Sequence, residues 1–125
     1  YGCDGWDGII KQLNGDTKNI EGATYLTPFV ATDTSEKVQA FVNTYKEKYN
    51  AEPDQFAADG YDAVYAIKAA IEKAGDDTSN EALVSAMTQI SVNGLTGDMT
   101  FDENGEPNKS AKVVVIKDGQ YVAQN

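Results

Sequence analysis

The longest periodic pattern of apolar and polar positions lies between Asp54 and Gly75. Within it, apolar and small residues recur at steps of three and four, which places them on one stripe of a helix. Pro53 precedes the segment, Asp54 is a suitable N-cap, and Gly75 is a suitable residue just after the helix. We expect a helix of about 20 residues, roughly 30 Å long, that packs through this stripe. The stripe consists of Phe56, Gly60, Ala63, Val64, Ile67, Ala70, Ile71 and Ala74.

Two further amphipathic helices are predicted, one on each side of this segment. Residues 35–49 have helical apolar spacing, with Asp33 opening the helix and Glu36 in the capping-box position. Thr78 and Glu81 form the same capping pattern ahead of the next helix. The apolar faces are Val38, Phe41, Val42, Tyr45 and Tyr49 in the first helix, and Leu83, Ala86, Met87 and Ile90 in the second.

Short strands are predicted near both ends of the chain. Asp118-Gly119 is a strong signal for a two-residue hairpin turn, because both positions tolerate positive φ. Three to four main helices with few strands indicate an α/β or α+β chain whose sheet does not close. The predicted strands are residues 20–29, 98–102, 111–116 and 120–123.

Composition excludes several classes of function. The 125 residues suit one ordinary domain. The net charge of −10 argues against binding nucleic acid, because phosphate neutralisation needs a basic face. Histidine and arginine are both absent, which removes the usual general base, the commonest transition-metal ligand and the bidentate carboxylate clamp. We therefore expect no enzyme, no metal and no cofactor.

Cys3 is the single cysteine, so a disulfide scaffold is excluded. A thiolate–imidazole pair is also excluded, because the chain has no histidine. A small buried hydrophobic residue is the default interpretation. A lipidated cysteine near the N-terminus is the sharper alternative.

Two groups of carboxylates were weighed as sites. Asp59 and Asp62 share a helix at i, i+3 and could form an acid–base pair, but an outward, solvated position is favoured, with Asp59 near the helix N-terminus. The segment from Asp102 superficially matches a calcium loop. The required Gly and Glu positions hold Pro107 and Val113, so a polar turn is favoured.

The glycine-rich start of the chain, YGCDGWDG, is the best candidate for a site. Asp4 stands between glycines beside Trp6, in a segment that turns into a short helix. A carboxylate next to an aromatic ring can hold a small ammonium ligand, because the charge accepts hydrogen bonds and the ring covers apolar atoms. A purely structural turn is the alternative. Ile9, Ile10 and Leu13 would form the apolar face of the short helix.

The chain resembles a known family along nearly its whole length. The segments that carry the likeness are GCDGWDG, YLTPF, VQAFVNTYKEKYN, PDQFAADGYDAVYAIKAAIEKAG and GLTGDMTFDENGEPNKSAKVVVIKDGQYV. They look like the C-terminal third of branched-chain amino-acid-type periplasmic binding proteins, the type I solute-binding subunits of ABC importers. The resemblance implies part of an α/β fold with two flavodoxin-like lobes that close over a ligand.

The resemblance also implies how segments and site residues are distributed. Residues 1–28 would belong to the C-terminal lobe, 29–107 to the N-terminal lobe, and 108–125 would return to the C-terminal lobe as a hairpin. Asp4 falls where the family pairs an acidic residue with the ligand's α-ammonium group. The other implied ligand-binding residues are Trp6 at the rim and Phe56, Ala58 and Asp59 near the side-chain pocket.

The implied function is a non-enzymatic, periplasmic or extracellular amino-acid-binding subunit that delivers its ligand to a membrane permease. Family members are more than twice as long, so the partners would include the N-terminal part of such a protein, whose full-length form can be a lipoprotein. An intertwined homodimer would be another way to satisfy open sheet edges. A ligand-sensing domain of a receptor or regulator is the alternative function, and a small acidic hydrolase is a third.

Overall fold

The computed structural model describes residues 1–124, which form helices and short strands in a mixed order. No helix in this part of the chain is long and apolar enough to cross a membrane. A 3₁₀ turn over Asp4–Trp6 comes first. The helices are α1 (Ile9–Gln12), α2 (Glu36–Tyr49), α3 (Gln55–Ala74) and α4 (Asn80–Met87), and the strands are β1 (Thr24–Thr27), β2 (Ser91–Asn93), β3 (Asp98–Thr100), β4 (Lys112–Lys117) and β5 (Gln120–Gln124).

The chain forms two compact units. The first unit comprises Tyr1–Ala57 together with the segment from Ala111 onward, and the second comprises Ala58–Ser110. Helix α3 therefore begins in the first unit and continues in the second. The assignment of residues 1–28, 29–107 and 108–125 to lobes of a larger protein stays a prediction.

The first unit is built on an antiparallel sheet in the order β1–β4–β5. Tyr25 lies opposite Val114, and both are buried. The predicted hairpin is confirmed: Asp118 and Gly119 have φ values of 52° and 72°, and β4 and β5 pair on either side of them. One hydrophobic cluster of this unit comprises Tyr25, Val30 and Val114, with Trp6, Tyr121 and Ala123 packed against it.

The second unit packs α3 and α4 against the β2–β3 ribbon. Strand β2 was not predicted; it pairs with β3 through Val92 opposite Met99. The extent of α3 is confirmed, with the Asp54 carboxylate accepting a hydrogen bond from Ala57 N at 3.0 Å and Gly75 adopting φ 70°. The core comprises Ala66, Ala70, Ala86, Ile90, Val92 and Met99.

The face of α3 that was predicted to be buried is wrong. Phe56, Val64 and Ile67 on the predicted stripe are 58%, 65% and 56% exposed. Ala70 is the one fully buried residue of the predicted stripe, and it belongs to a different buried row, which contains Ala58, Asp62, Ala66 and Ala70, spaced four residues apart. Small side chains let α4 and the ribbon come close to the helix axis, so packing selects the alanine row rather than the bulky one.

The capping residues predicted for α2 and α4 are also wrong, although both helices are present. Ser35 and Ser79 are the N-cap residues. Asp33 accepts a hydrogen bond from Ser35 N at 2.8 Å and pairs with Lys112, so its carboxylate is not available to cap α2. In α4 the Ser79 hydroxyl accepts from Ala82 N at 3.3 Å, one residue after the predicted cap.

Asp62 ties α3 to the turn that follows β2. Its carboxylate accepts hydrogen bonds from Leu95 N at 2.8 Å, Thr96 N at 2.9 Å and the Thr96 hydroxyl at 2.7 Å. A Cβ atom on Gly94 would lie 2.5 Å from Asp62 Oδ2, so glycine is required there. Asp62 is 2% exposed, and its predicted outward, solvated position is therefore wrong.

Removing the Asp62 carboxylate should destabilise the fold. Asp62→Ala leaves three buried donors unpaired, and we expect a loss of about 3 kcal/mol in the free energy of unfolding. Urea denaturation followed by circular dichroism measures this. Asp76→Ala, at an exposed position on the loop after α3, is the matched control and should change stability by less than about 0.5 kcal/mol. Equal stability of the two variants would contradict the role given to Asp62.

Candidate functional site

The Asp4 turn lies beside strand β1. Gly2 pairs with Tyr25 in a parallel bridge, and Gly2 N donates to Thr24 O at 2.8 Å. The 3₁₀ turn then closes through Asp7 N donating to Asp4 O at 2.9 Å. The Asp4 side chain is exposed, and over residues 1–124 its carboxylate has no hydrogen-bond or ion-pair partner. The turn therefore presents an unpaired carboxylate on a hydrogen-bonded backbone.

Trp6 anchors this turn to the core of the first unit. Its ring is partly buried and packs against the cluster that contains Tyr25 and Tyr121. The ring also lies directly over Gly2, where a Cβ atom would come within 2.8 Å of Trp6 Cδ1. Glycine at position 2 is thus what permits the close approach of the indole.

Gln55, at the start of α3, holds the turn from the other side. It is 1% exposed, and each of its polar groups has a partner. Its Nε2 donates to Asp4 O at 3.0 Å, its Oε1 accepts from the Thr27 hydroxyl at 2.9 Å, and its backbone N donates to Asp7 Oδ2 at 2.7 Å. Gln55 is not predicted from the sequence, because nothing in the local pattern shows that this amide faces inward.

Asp7, which is also not predicted from the sequence, is a partly buried carboxylate with a raised pKa. Burial raises its pKa above the ordinary value, and the nearby charge of Asp54 raises it further, whereas the hydrogen bond from Gln55 N lowers it. The Tyr25 hydroxyl donates a hydrogen bond to the Asp7 carboxylate. Burial, together with the negative charge of Asp7, raises the pKa of Tyr25. The hydrogen-bonding capacity of the Asp7 carboxylate is therefore used within the protein, and its role is structural.

A groove of about 900 Å³ opens beside Asp7 in the first unit. Aromatic side chains of Tyr25, Phe29 and Tyr121 line it, together with Lys11 and Asp54. None of the five predicted ligand-binding residues lines this groove. The groove and the Asp4 turn are thus separate features of the unit.

The remaining predicted site residues have different environments. Phe56, in the first unit, is largely exposed in the first turn of α3. In the second unit Ala58 is fully buried, and Asp59 forms an ion pair with Lys109 at 2.9 Å. The ligand-binding roles of these three residues, and of Asp4 and Trp6, stay predictions.

Two other sequence interpretations are resolved by their local contacts. Cys3 is exposed, so its interpretation as a buried hydrophobe is wrong: it precedes the 3₁₀ turn in extended backbone outside the core. Asp102 forms the favoured polar turn, accepting hydrogen bonds from the backbone N–H groups of Asn104 and Glu106, both at 2.8 Å. The hydrogen bond from Glu106 is the main cause that lowers the pKa of Asp102.

Comparisons with known proteins identify the family of the chain. The family model described as "Periplasmic binding protein" matches residues 1–120. The chain belongs to this family. The leucine binding protein LivK of Thermotoga maritima is 32% identical, with a TM-score of 0.81 over 98% of this chain and 35% of that one. The chain thus spans about a third of the length of this relative, and the predicted fold, a portion of the two-lobed α/β fold, is confirmed.

Two more solved structures are similar. LivJ of Streptococcus pneumoniae, in complex with isoleucine, is 26% identical with a TM-score of 0.79, over 98% of this chain and 35% of that one. A solute-binding protein of an ABC transporter from R. palustris, in complex with benzoate, is 24% identical with a TM-score of 0.77, over 94% of this chain and 32% of that one. The second likeness supports the fold alone. These relatives are solute-binding proteins rather than enzymes.

The raised pKa of Asp7 predicts a pH-dependent contribution to stability. Because folding raises this pKa above 3.8, the folded state binds the extra proton more tightly, and the stabilisation is lost as pH rises through the window above 3.8. The difference in unfolding free energy between wild type and Asp7→Asn should therefore fall as the pH rises above about 4, the ordinary pKa of an aspartate.

Urea denaturation at a series of pH values measures this difference. Asp76→Asn, at an exposed position, is the control and should show no such trend relative to wild type. A difference that stays constant or grows with pH for Asp7→Asn would contradict the assignment.

Proposed function

We propose that this chain provides the ammonium-binding part of an extracytoplasmic amino-acid-binding subunit of an ABC importer. The observation that carries the proposal is the Asp4 carboxylate, which is exposed and without a partner in the described chain while its own backbone is hydrogen-bonded twice. Membership of the periplasmic binding protein family supports a ligand-binding role outside the cytoplasm. The amino-acid class is supported by the leucine and isoleucine relatives.

The chemistry of the turn suits an α-ammonium group. An ionised carboxylate accepts charge-assisted hydrogen bonds, which are stronger than bonds between neutral groups. Trp6 lies two residues from Asp4 in the same turn, and its partly buried ring is proposed to cover apolar atoms of the ligand. Because the backbone of the turn is already fixed, little conformational entropy is lost when a ligand binds.

Ligand binding in such a subunit would proceed by lobe closure. A ligand that contacts both lobes favours the closed state by its differential affinity for the two conformations. Groups for the α-carboxylate would come from the rest of a binding protein of the relatives' length, and the closed form would be recognised by a permease. Phe56, which is exposed in the first turn of α3, is proposed to border the ligand's side chain, whereas Ala58 is fully buried and offers no surface to a ligand.

A chimera tests this function directly. Residues 1–120 would replace the matching third of the Thermotoga LivK chain, and binding of L-leucine would be measured by titration calorimetry. We expect binding by the chimera and a loss of about 2–4 kcal/mol, roughly 30- to 1,000-fold in Kd, on Asp4→Asn, because the buried ammonium loses its charged partner.

Asp16→Asn in the same chimera is the matched control. Asp16 is an exposed aspartate in the loop after α1, and its substitution should leave leucine affinity unchanged. Equal affinities of Asp4→Asn and the unmodified chimera would remove Asp4 from the site. A folded chimera that binds no leucine would contradict the proposed ligand.

A further inference from the structure

We propose that Gln55 is a positioning residue that sets the direction of the Asp4 carboxylate. The inference rests on the proposed function insofar as Asp4 is the residue that meets the ligand. Gln55 does not face the ligand itself, since its side chain is almost completely buried and both ends of its amide are bonded within the protein. It acts through the backbone of the turn.

The amide of Gln55 has one orientation that satisfies all its neighbours. Its N–H group faces the carbonyl oxygen of Asp4, which can only accept, and its oxygen faces the hydroxyl of Thr27. Thr27 is 1% exposed, and its hydroxyl oxygen accepts a hydrogen bond from Phe29 N at 3.3 Å while its proton is donated to Gln55 Oε1. Rotating the amide by half a turn would place two oxygen atoms against each other at Asp4, so the contact is directional.

Gln55 holds both ends of the Asp4–Asp7 turn. Its side chain bonds to the carbonyl of Asp4, and its backbone N–H bonds to the carboxylate of Asp7. The same Asp4 carbonyl also accepts the hydrogen bond that closes the 3₁₀ turn. With its carbonyl held by two donors, the backbone of Asp4 is restrained, which limits the positions that its carboxylate reaches by rotation about χ1 and χ2.

The single tryptophan of the chain makes this tether measurable without a ligand. Trp6 lies between the two anchored residues and packs against the core of the first unit, so its fluorescence reports on the turn and on this packing. In the 125-residue chain, Gln55→Met keeps the side-chain volume but removes both amide contacts. We expect the rate constant for acrylamide quenching of Trp6 to rise at least about twofold in this variant, because the released turn exposes the indole.

Gln39→Met is the matched control. Gln39 also uses Nε2 to hold backbone carbonyls, those of Ala31 at 3.0 Å and Asp33 at 2.7 Å, but it does so in the loop before α2. Gln39→Met should lower the thermal midpoint and leave Trp6 quenching at the wild-type value.

Gln55→Glu, which retains the acceptor for Thr27 and loses the donor to Asp4, is the second test variant and should also increase quenching. Wild-type quenching in both folded Gln55 variants would overturn the proposal.

A double-mutant cycle in the LivK chimera then tests the effect on the carboxylate itself. Gln55→Met should weaken L-leucine binding by about tenfold when Asp4 is present and have little effect when Asp4 is already Asn. Equal losses in the two backgrounds would show that Gln55 acts elsewhere and would overturn the positioning role. Absence of leucine binding by the unmodified chimera would refute the proposed ligand. The quenching measurement would still show whether Gln55 holds the Asp4–Asp7 turn in place.

Discussion

The first unit depends on a buried side-chain amide that must have partners at both ends. Gln55 joins the start of α3 to strand β1 through Thr27 and to the glycine-rich turn through Asp4. A buried amide without such partners would cost several kcal/mol, so these segments keep their mutual positions as long as the chain is folded. The carboxylate of Asp7 strengthens the same junction by accepting the first N–H group of α3.

The two neighbouring carboxylates, Asp7 and Asp4, therefore have different roles. Asp7 is partly buried and bonded to the protein, so it contributes to the architecture. Asp4 is exposed and without a partner in the described residues, while its backbone is fixed. A charged side chain on a fixed backbone loses less entropy on binding than one on a mobile loop, which is the physical basis of preorganisation.

The sequence predicts the features that depend on local spacing. Helices α2 and α3 follow from apolar periodicity, and the β4–β5 hairpin follows from Asp118-Gly119, because both signals lie within a few residues. The buried face of α3 could not be predicted, since close packing selects the alanine row over the bulkier stripe. Strand β2 could not be predicted either, because Val92 is its one apolar residue and only the pairing with β3, through Val92 opposite Met99, defines it.

The candidate site divides in the same way. Asp4 and Trp6 could be proposed because a carboxylate and an aromatic ring stand among glycines in one short segment. Gln55 could not, because its partners Asp4 and Thr27 are 51 and 28 residues away in sequence. Asp62 is a similar case, since its donors follow 33 and 34 residues later. Long-range hydrogen bonds leave no periodic signal, so only the folded chain reveals them.

A crystal structure of the LivK chimera with bound L-leucine would show whether Asp4 holds the ligand's ammonium group. We expect a carboxylate oxygen of Asp4 about 2.7–3.0 Å from the ammonium nitrogen, with Gln55 Nε2 still bonded to the Asp4 carbonyl. An ammonium group bound elsewhere, with the Asp4 carboxylate directed into solvent, would contradict it.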